Sequence, residues 1–524
     1  MRNASLLTFG LSLCLAACPA DAPTEPQVAS GGSAAKVPAP AAPRGAAPSV
    51  VISRDGELPE LDPCGALADS DNRCGPVTSL SAAVPGDVCL PPGQSEASMA
   101  AVQSLAWRTF VALTWPSTAG GTPADSGPIA ATQGADAPRA MWETWRSPWE
   151  MKELARLNED APLTTADWGR PAPLPSSCEG DPGALLLSQA GKVSDAVHAV
   201  LPDGIAASVR GGAAIDQNGQ PVLVETRFNQ TMWDTLVSGG WYCSGASDRG
   251  LAFPNNHGDT KYGVGAMAVQ AAWVLMDDAQ ETDASIHTRE AFVFQEGNAV
   301  RPGMCDKATV GLVALSVAHK AGVGDDTWVW SVFEQDGVAP MPGEPSSREY
   351  MFRSSTCAEM TEAACGSVQP GQVSEAVLCC PNTDLHGRLS ATDRLVSDRT
   401  PSQLSREDRW EDGSGCTAAY TDALAGSPWA NFALIGAQYW GNRDAETMEF
   451  GPQPRTLRSV VLEPWAVAWV DDKQDTTSSC IACHAAGDDS MFFVQAMRAG
   501  TDGGASQGSS ETGVSPSEPT SAPE

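Results

Sequence analysis

The segment that most restricts this chain lies near its C-terminus and reads Cys480-Ile481-Ala482-Cys483-His484. Two thiols three residues apart on one turn can each add to a vinyl group of the same haem, and a histidine directly after them then lies under the macrocycle. The segment therefore predicts one covalently bound haem c, attached through Cys480 and Cys483, with His484 as the proximal iron ligand. The alternative is a redox-active or structural disulfide next to an unrelated histidine. The position near the chain end argues against a thioredoxin-like motif.

The short chain after His484 restricts the fold around such a haem. A small cytochrome c domain needs further helix and a distant methionine after its motif, and residues 471–498 cannot hold that domain. We therefore expect the haem to pack against the upstream core. The sixth iron ligand stays open: Met497, His319 and His257 are candidates, whereas Met491 lies too close to the motif to reach the far face of the haem. A position that is empty or filled by water is an equal alternative.

The N-terminus predicts export. Arg2 is followed by a short apolar run that ends in Leu15-Ala16-Ala17-Cys18, a pattern that resembles the lipobox of bacterial lipoproteins. We predict a signal peptide over residues 1–17, lipidation at Cys18, and a location in the bacterial envelope, facing the periplasm or on the cell surface. The lipid would be the membrane anchor. An ordinary secretory signal is the alternative.

Composition predicts where the folded part begins and ends. Residues 18–60 and 499–524 are rich in small residues and proline and poor in large apolar side chains. Such segments bury too little apolar surface to offset the entropy lost on ordering. We predict a disordered tether and a disordered tail there, and one haem-binding domain over residues 61–498, with a cysteine-rich insertion over residues 340–425.

The charge and the cysteines agree with an exported protein. Lys and Arg number 32 against 64 Asp and Glu, a net charge of −32, which repels phosphates and excludes nucleic-acid binding. The acidic surface serves solubility, or it is a docking surface for a basic redox partner of unknown identity. Of the 15 cysteines, 11 stay after Cys14, Cys18, Cys480 and Cys483 are set aside. In an oxidising compartment most of them are expected to form disulfides.

Hydrophobic periodicity predicts the elements of the domain. Residues 95–115 carry one apolar stripe and end before Pro116, which is typical of a helix, and a second helix is predicted over Met141–Leu154. The Asn218-Gly219 pair predicts the turn of a hairpin over residues 213–228. Further strands are predicted in the apolar runs 266–276, 290–295, 309–318 and 328–334. Together they predict an α+β fold: a central antiparallel sheet of five or six strands flanked by helices and long disulfide-stapled loops, with the haem segment at the C-terminal end.

Several segments resemble a group of uncharacterised bacterial cytochrome c family proteins with a single C-terminal CxxCH motif. The likeness is carried, in the same order along the chain, by Trp107–Pro116, Trp142–Trp145, Ala268–Trp273, Trp328–Glu334 and Leu457–Trp465. The resemblance implies one integral haem domain over most of the folded part and no known reaction. In that family a histidine stands at two places that hold Ser316 and Gln335 here, which argues against peroxidase-type chemistry.

These predictions leave three alternative functions. The first is electron transfer through one haem by an exported lipoprotein. The second is a haem enzyme of peroxidase or oxidase type with an open sixth iron position. The third is a surface binding or structural lipoprotein in which the haem is a fixed cofactor. A six-coordinate iron passes electrons, whereas an open position binds a peroxide or a small gas, so the sixth ligand separates the first two.

Overall fold

The computed structural model of the chain describes part of its 524 residues. The described residues are 51–53, 77, 79–85, 96–118, 121–128, 138–158, 162–180, 183–192, 213–242, 251–255, 263–277, 280–295, 304–323, 327–341, 348–355, 401–406, 415–439, 457–464, 469–470, 473–474, 480 and 484. They form a mixed α/β structure with an 8-stranded sheet. Strands and helices in one sheet-centred core confirm the predicted combination of α and β elements. Of the segment predicted to bind haem, the structure describes Cys480 and His484.

The strands of the described parts are β1 Val51–Ser53, β2 Ser79–Ser81, β3 Leu185–Leu187, β4 Gln189–Ala190, β5 Leu223–Phe228, β6 Met267–Leu275, β7 Thr288–Gln295, β8 Met304–Val323, β9 Thr327–Gln335, β10 Phe432–Tyr439, β11 Trp469–Val470 and β12 Lys473–Gln474. The α-helices are α1 Glu96–Thr114, α2 Pro148–Leu157, α3 Gln230–Ser238 and α4 Cys416–Ala423. The apolar runs predicted as strands are confirmed as β6 to β9, and β8 is longer than predicted.

Strand β8 organises the large sheet. It pairs with β6 along one edge, while β7 and then β9 pair with successive parts of its other edge, all antiparallel. β10 extends the sheet beyond β9, and β5 and β4 extend it beyond β6. β3 pairs in parallel with β7. The sheet thus has more strands than predicted and one parallel pair, because β3 and β4 are too short to show an alternating pattern.

Helix α1 packs across one face of the sheet and is buried on nearly every side. The rings of Trp107 and Phe110 lie 5.1 and 4.3 Å from the ring of Phe333 in β9, and Trp107 also stacks on Tyr420 of α4 at 5.6 Å. Aromatic pairs of this kind contribute about 0.5–1.5 kcal/mol each beyond area burial. The predicted helix is confirmed, and its apolar stripe is only part of a surface covered by both the sheet and α4.

The predicted second helix is two elements. Met141–Thr144 form a 3-10 turn, and α2 begins at Pro148. A residue before proline is held in extended backbone. Ser147 therefore caps α2, accepting a hydrogen bond from Glu150 N at 3.2 Å while Glu150 Oε2 accepts one from Ser147 N at 2.9 Å. The prediction of a single helix over Met141–Leu154 is therefore wrong, because the helix is interrupted between Thr144 and Pro148.

The predicted Asn218-Gly219 turn is confirmed. Gly219 has a φ of 75° and donates its N–H to Asp216 O at 3.0 Å. The Asp216 carboxylate accepts from the N–H groups of Asn218 and Gln220 at 2.9 and 2.7 Å. The arm after the turn is β5, whereas the arm before it meets its partner through an isolated bridge, so the predicted hairpin has one regular strand.

One disulfide links distant parts of the described chain, Cys178 to Cys305 at the start of β8. It confirms for this pair the expectation that the cysteines form disulfides. Residues 51–53, which belong to the predicted tether, form β1 and pair with β2. The predicted signal peptide, Cys18 and the predicted tail lie outside the described residues. Among the helices that are described, none is long and apolar enough to cross a membrane.

Candidate functional site

Side chains of the central strands alternate between two faces of the sheet. On one face, Leu315, Val317 and Phe333 pack in the large core cluster with α1. On the opposite face, Ala318 of β8 and Trp330 and Val332 of β9 belong to a separate apolar cluster. We call this second face the site face, because Cys480 packs there.

Cys480 is 5% exposed and packs in the cluster of Ala318, Trp330, Val332 and Leu457. Its N–H donates to Leu457 O at 3.2 Å, and its thiol lies 3.3 Å from the same carbonyl oxygen. The thiol is therefore held in an apolar environment at a defined place on the sheet.

His484 lies against the same part of the site face. Its ring centroid is 4.2 Å from that of Trp330, with the planes inclined by 30°. Burial first, and the positive charge of Lys192 second, hold the pKa of His484 well below its ordinary value of 6.5. The imidazole is therefore neutral, which is the form that binds a metal ion.

A buried carboxylate, Glu334, connects the site face to the chain that leads to Cys480. Glu334 is 0% exposed. Its Oε1 accepts hydrogen bonds from Ser459 Oγ and Val460 N, both at 2.7 Å, and its Oε2 accepts one from Arg406 Nε at 2.9 Å. A carboxylate satisfied at both oxygens fixes geometry more than it adds stability.

A second carboxylate, Glu463, continues this network toward His484. Its Oε2 accepts from Ser459 N at 2.8 Å, and its other oxygen forms an ion pair with Lys192. Lys192 is close enough for its charge to act on His484. Charged groups thus border the apolar surface that carries Cys480, and each one named here has a partner of opposite charge or a hydrogen bond.

A polar row crosses the site face next to this cluster. Thr226, Gln270 and Ser316 are paired neighbours on β5, β6 and β8, and Gln270 Nε2 lies 3.3 Å from Thr226 Oγ1. Thr226 and Gln270 are partly exposed, although the residues on either side of them in β5 and β6 are buried. Solvent therefore reaches the middle of the sheet here, between two apolar clusters that contain Ala268 and Ala272 respectively.

The structure brings two of the predicted site residues together and separates a third from them. Cys480 belongs to the same apolar cluster as Trp330, and the His484 ring packs against the Trp330 ring. His319 is 2% exposed, and it alternates with Ala318 and therefore lies on the opposite face, with Val317 and Ala321 of the core under α1. Burial lowers the pKa of His319 to about 3. His257, Cys483, Met491 and Met497 lie outside the described residues.

Comparisons of this chain with protein-family models, curated proteins and solved structures find no match. Within the described parts of the chain, no group of three or more His, Cys, Asp or Glu side chains is placed to hold a metal ion. The function must therefore be argued from the site itself.

Sequence reasoning missed the partners that hold the site. Trp330, Val332 and Glu334 alternate along β9, so all three share the site face. A glutamate in an otherwise apolar strand is a sequence signal for a buried carboxylate with a structural or functional task. Lys192 gives no comparable signal, because its partner Glu463 lies 271 residues further along the chain.

Proposed function

We propose that this protein is an exported c-type haem lipoprotein that transfers electrons through one covalently bound haem. The observation that carries the proposal is the placement of Cys480 and His484. These two members of the CxxCH segment lie on one apolar sheet face: the thiol is buried in the same apolar cluster as Trp330, and the imidazole packs against the Trp330 ring at an inclination of 30°. Cys483, between them in sequence, would supply the second thioether.

The described residues fit such a group. Cys480 supplies a thiol, and His484 supplies a neutral imidazole whose ring Trp330 orients. Ala318 and Val332 surround the Cys480 thiol with apolar side chains, and the partly exposed Gln270 lies on the same sheet face. When bound, the haem supplies an iron that changes between ferric and ferrous states. The chain holds the imidazole, covers part of it and sets the charge around it.

The surroundings favour electron transfer over a purely structural haem. Buried apolar side chains and the Lys192–Glu463 pair are the kind of environment that tunes a reduction potential. The net charge of −32 suits a basic redox partner. We further propose cleavage after residue 17, a lipid on Cys18 and a location in the bacterial envelope, since haem is attached to c-type proteins outside the cytosol.

The test is the optical spectrum of protein matured with its own export signal, recorded oxidised and reduced, with and without cyanide. The proposal predicts a c-type reduced spectrum that cyanide does not change, and its loss in Cys480→Ser. Gln217→Leu, in the remote turn after Ile215, is the control and should keep the spectrum. A wild-type spectrum without haem bands would refute the proposal.

A second candidate is a haem enzyme with an open sixth iron position, and the polar row at Thr226, Gln270 and Ser316 favours it. Solvent reaches the Gln270 amide and the Thr226 hydroxyl, and such groups would hydrogen-bond a small ligand. This candidate predicts a high-spin spectrum that shifts with cyanide or peroxide. It also predicts that Gln270→Leu weakens cyanide binding, whereas Gln217→Leu, in the remote turn after Ile215, does not.

A further inference from the structure

We propose that Glu334 is the positioning residue for Cys480. Through Ser459 it fixes the turn Leu457–Glu463, whose first carbonyl receives the backbone and the thiol of Cys480. The role as a haem-attachment thiol rests on the proposed function, whereas the positional link can be tested without haem.

The first step is that Glu334 is itself fixed. It belongs to β9, where it pairs with Ala314 on one side and with Ala433 on the other. Its Oε2 is bound by Arg406, whose Nη2 also donates to Gln335 O at 2.6 Å. The backbone of Glu334 is therefore held by strands on both sides, and its carboxylate is held by Arg406.

The second step joins Glu334 to the turn. Ser459 is 0% exposed and lies at the centre of the turn. Its Oγ donates to Glu334 Oε1 and accepts from Leu462 N at 3.2 Å, and its carbonyl oxygen accepts from Glu463 N at 2.8 Å. With Val460 N also donating to Glu334, the carboxylate satisfies the open backbone and hydroxyl groups of this turn.

The third step joins the turn to Cys480. Leu457, at the start of the turn, accepts from Cys480 N and faces the thiol at 3.3 Å, and its side chain lies in the same cluster. Displacing the turn would therefore remove both the hydrogen-bond acceptor and part of the apolar cover of Cys480. The sulfur would lose its defined position relative to Trp330.

The experiment measures how fast iodoacetamide alkylates Cys480 in the folded, haem-free full chain, read from the mass of the peptide that contains it. A Cys483→Ser background prevents pairing of these two cysteines. Glu334→Gln turns an amide N–H toward the donor of Arg406, and the milder Ser459→Ala removes the hydroxyl link. Both should raise the alkylation rate by at least about tenfold, because the free energy of the local opening that exposes Cys480 becomes smaller.

Glu143→Gln is the matched control. Glu143 is also buried and bonded to His287 at 2.6 Å, but under the opposite face of the sheet. It should change the rate by less than about twofold even where it lowers the free energy of unfolding as much. The positioning role is overturned if neither Glu334→Gln nor Ser459→Ala accelerates alkylation, or if Glu143→Gln accelerates it equally.

The two proposals fail differently. Covalent haem in the wild-type chain, together with alkylation rates that do not depend on Glu334, would remove the positioning role and leave the haem function. Protection of Cys480 that depends on Glu334, in a chain that never acquires haem, would remove the haem function and leave the positional link.

Discussion

Replacing His319 by glutamine should make the folded protein less sensitive to mild acid. His319 is 2% exposed, and its burial lowers the pKa from 6.5 to about 3. As the pH falls below 6.5, His319 becomes protonated in the unfolded chain but stays neutral in the folded chain until about pH 3. Above pH 6.5 the burial of His319 therefore costs the folded state no stability through protonation. Below pH 6.5 the loss of stability grows as the pH falls toward about 3.

The magnitude follows from the two pKa values. Between pH 7.5 and pH 5.5 the unfolded histidine goes from mostly neutral to mostly protonated, which costs the folded state about 1.4 kcal/mol. Urea unfolding of the wild type and of His319→Gln at both pH values measures this as a difference of differences. The packing lost in the variant is the same at both pH values and cancels. An equal loss in both proteins would show that His319 is not a neutral core residue.

Three further results are expected. Trp330→Leu should shift the absorption spectrum of the haem-loaded protein, because the His484 ring loses the aromatic ring that it packs against. The control Trp233→Leu, in the cluster at α3, should leave the spectrum unchanged. Lys192→Met should lower the reduction potential measured in a redox titration, because the unpaired negative charge of Glu463 then favours ferric iron. Lys152→Met is the control and should leave the potential unchanged. An unchanged potential in Lys192→Met would contradict the charge argument. Cys178→Ser should lower the free energy of urea unfolding by about 3–5 kcal/mol, since the disulfide spans 127 residues, while the haem content stays at the wild-type level.

The long elements could be predicted because their residues repeat with a clear period. The helix that ends before Pro116 and the strands β6 to β9 show such patterns over many residues. β3 and β4 could not be predicted, because two or three residues have no period. The break before Pro148 did have a signal, the Ser-Pro pair with a glutamate three residues after the serine, and the apolar side chains on both sides of it concealed that signal.

The site could be predicted only where its residues are adjacent in sequence. The CxxCH segment predicts Cys480 and His484 as site residues. Trp330 and Ser459 are brought to the site by the strand register and by a turn, and neither can be derived from one sequence. Strand alternation did predict that His319 faces away from Ser316, and the structure confirms this. The site face itself follows from the packing of Cys480, which no local pattern encodes.

The pyridine haemochrome assay measures directly whether the protein carries a covalently bound haem c. It should be made on the full chain matured with its export signal, after extraction with acidified acetone, which removes haem that is not covalently bound. We expect one thioether-linked haem for each chain, reduced or lost in Cys480→Ser and in Cys483→Ser and retained in His319→Gln. A wild-type protein that keeps no haem after extraction, with a properly folded sheet, would contradict this expectation.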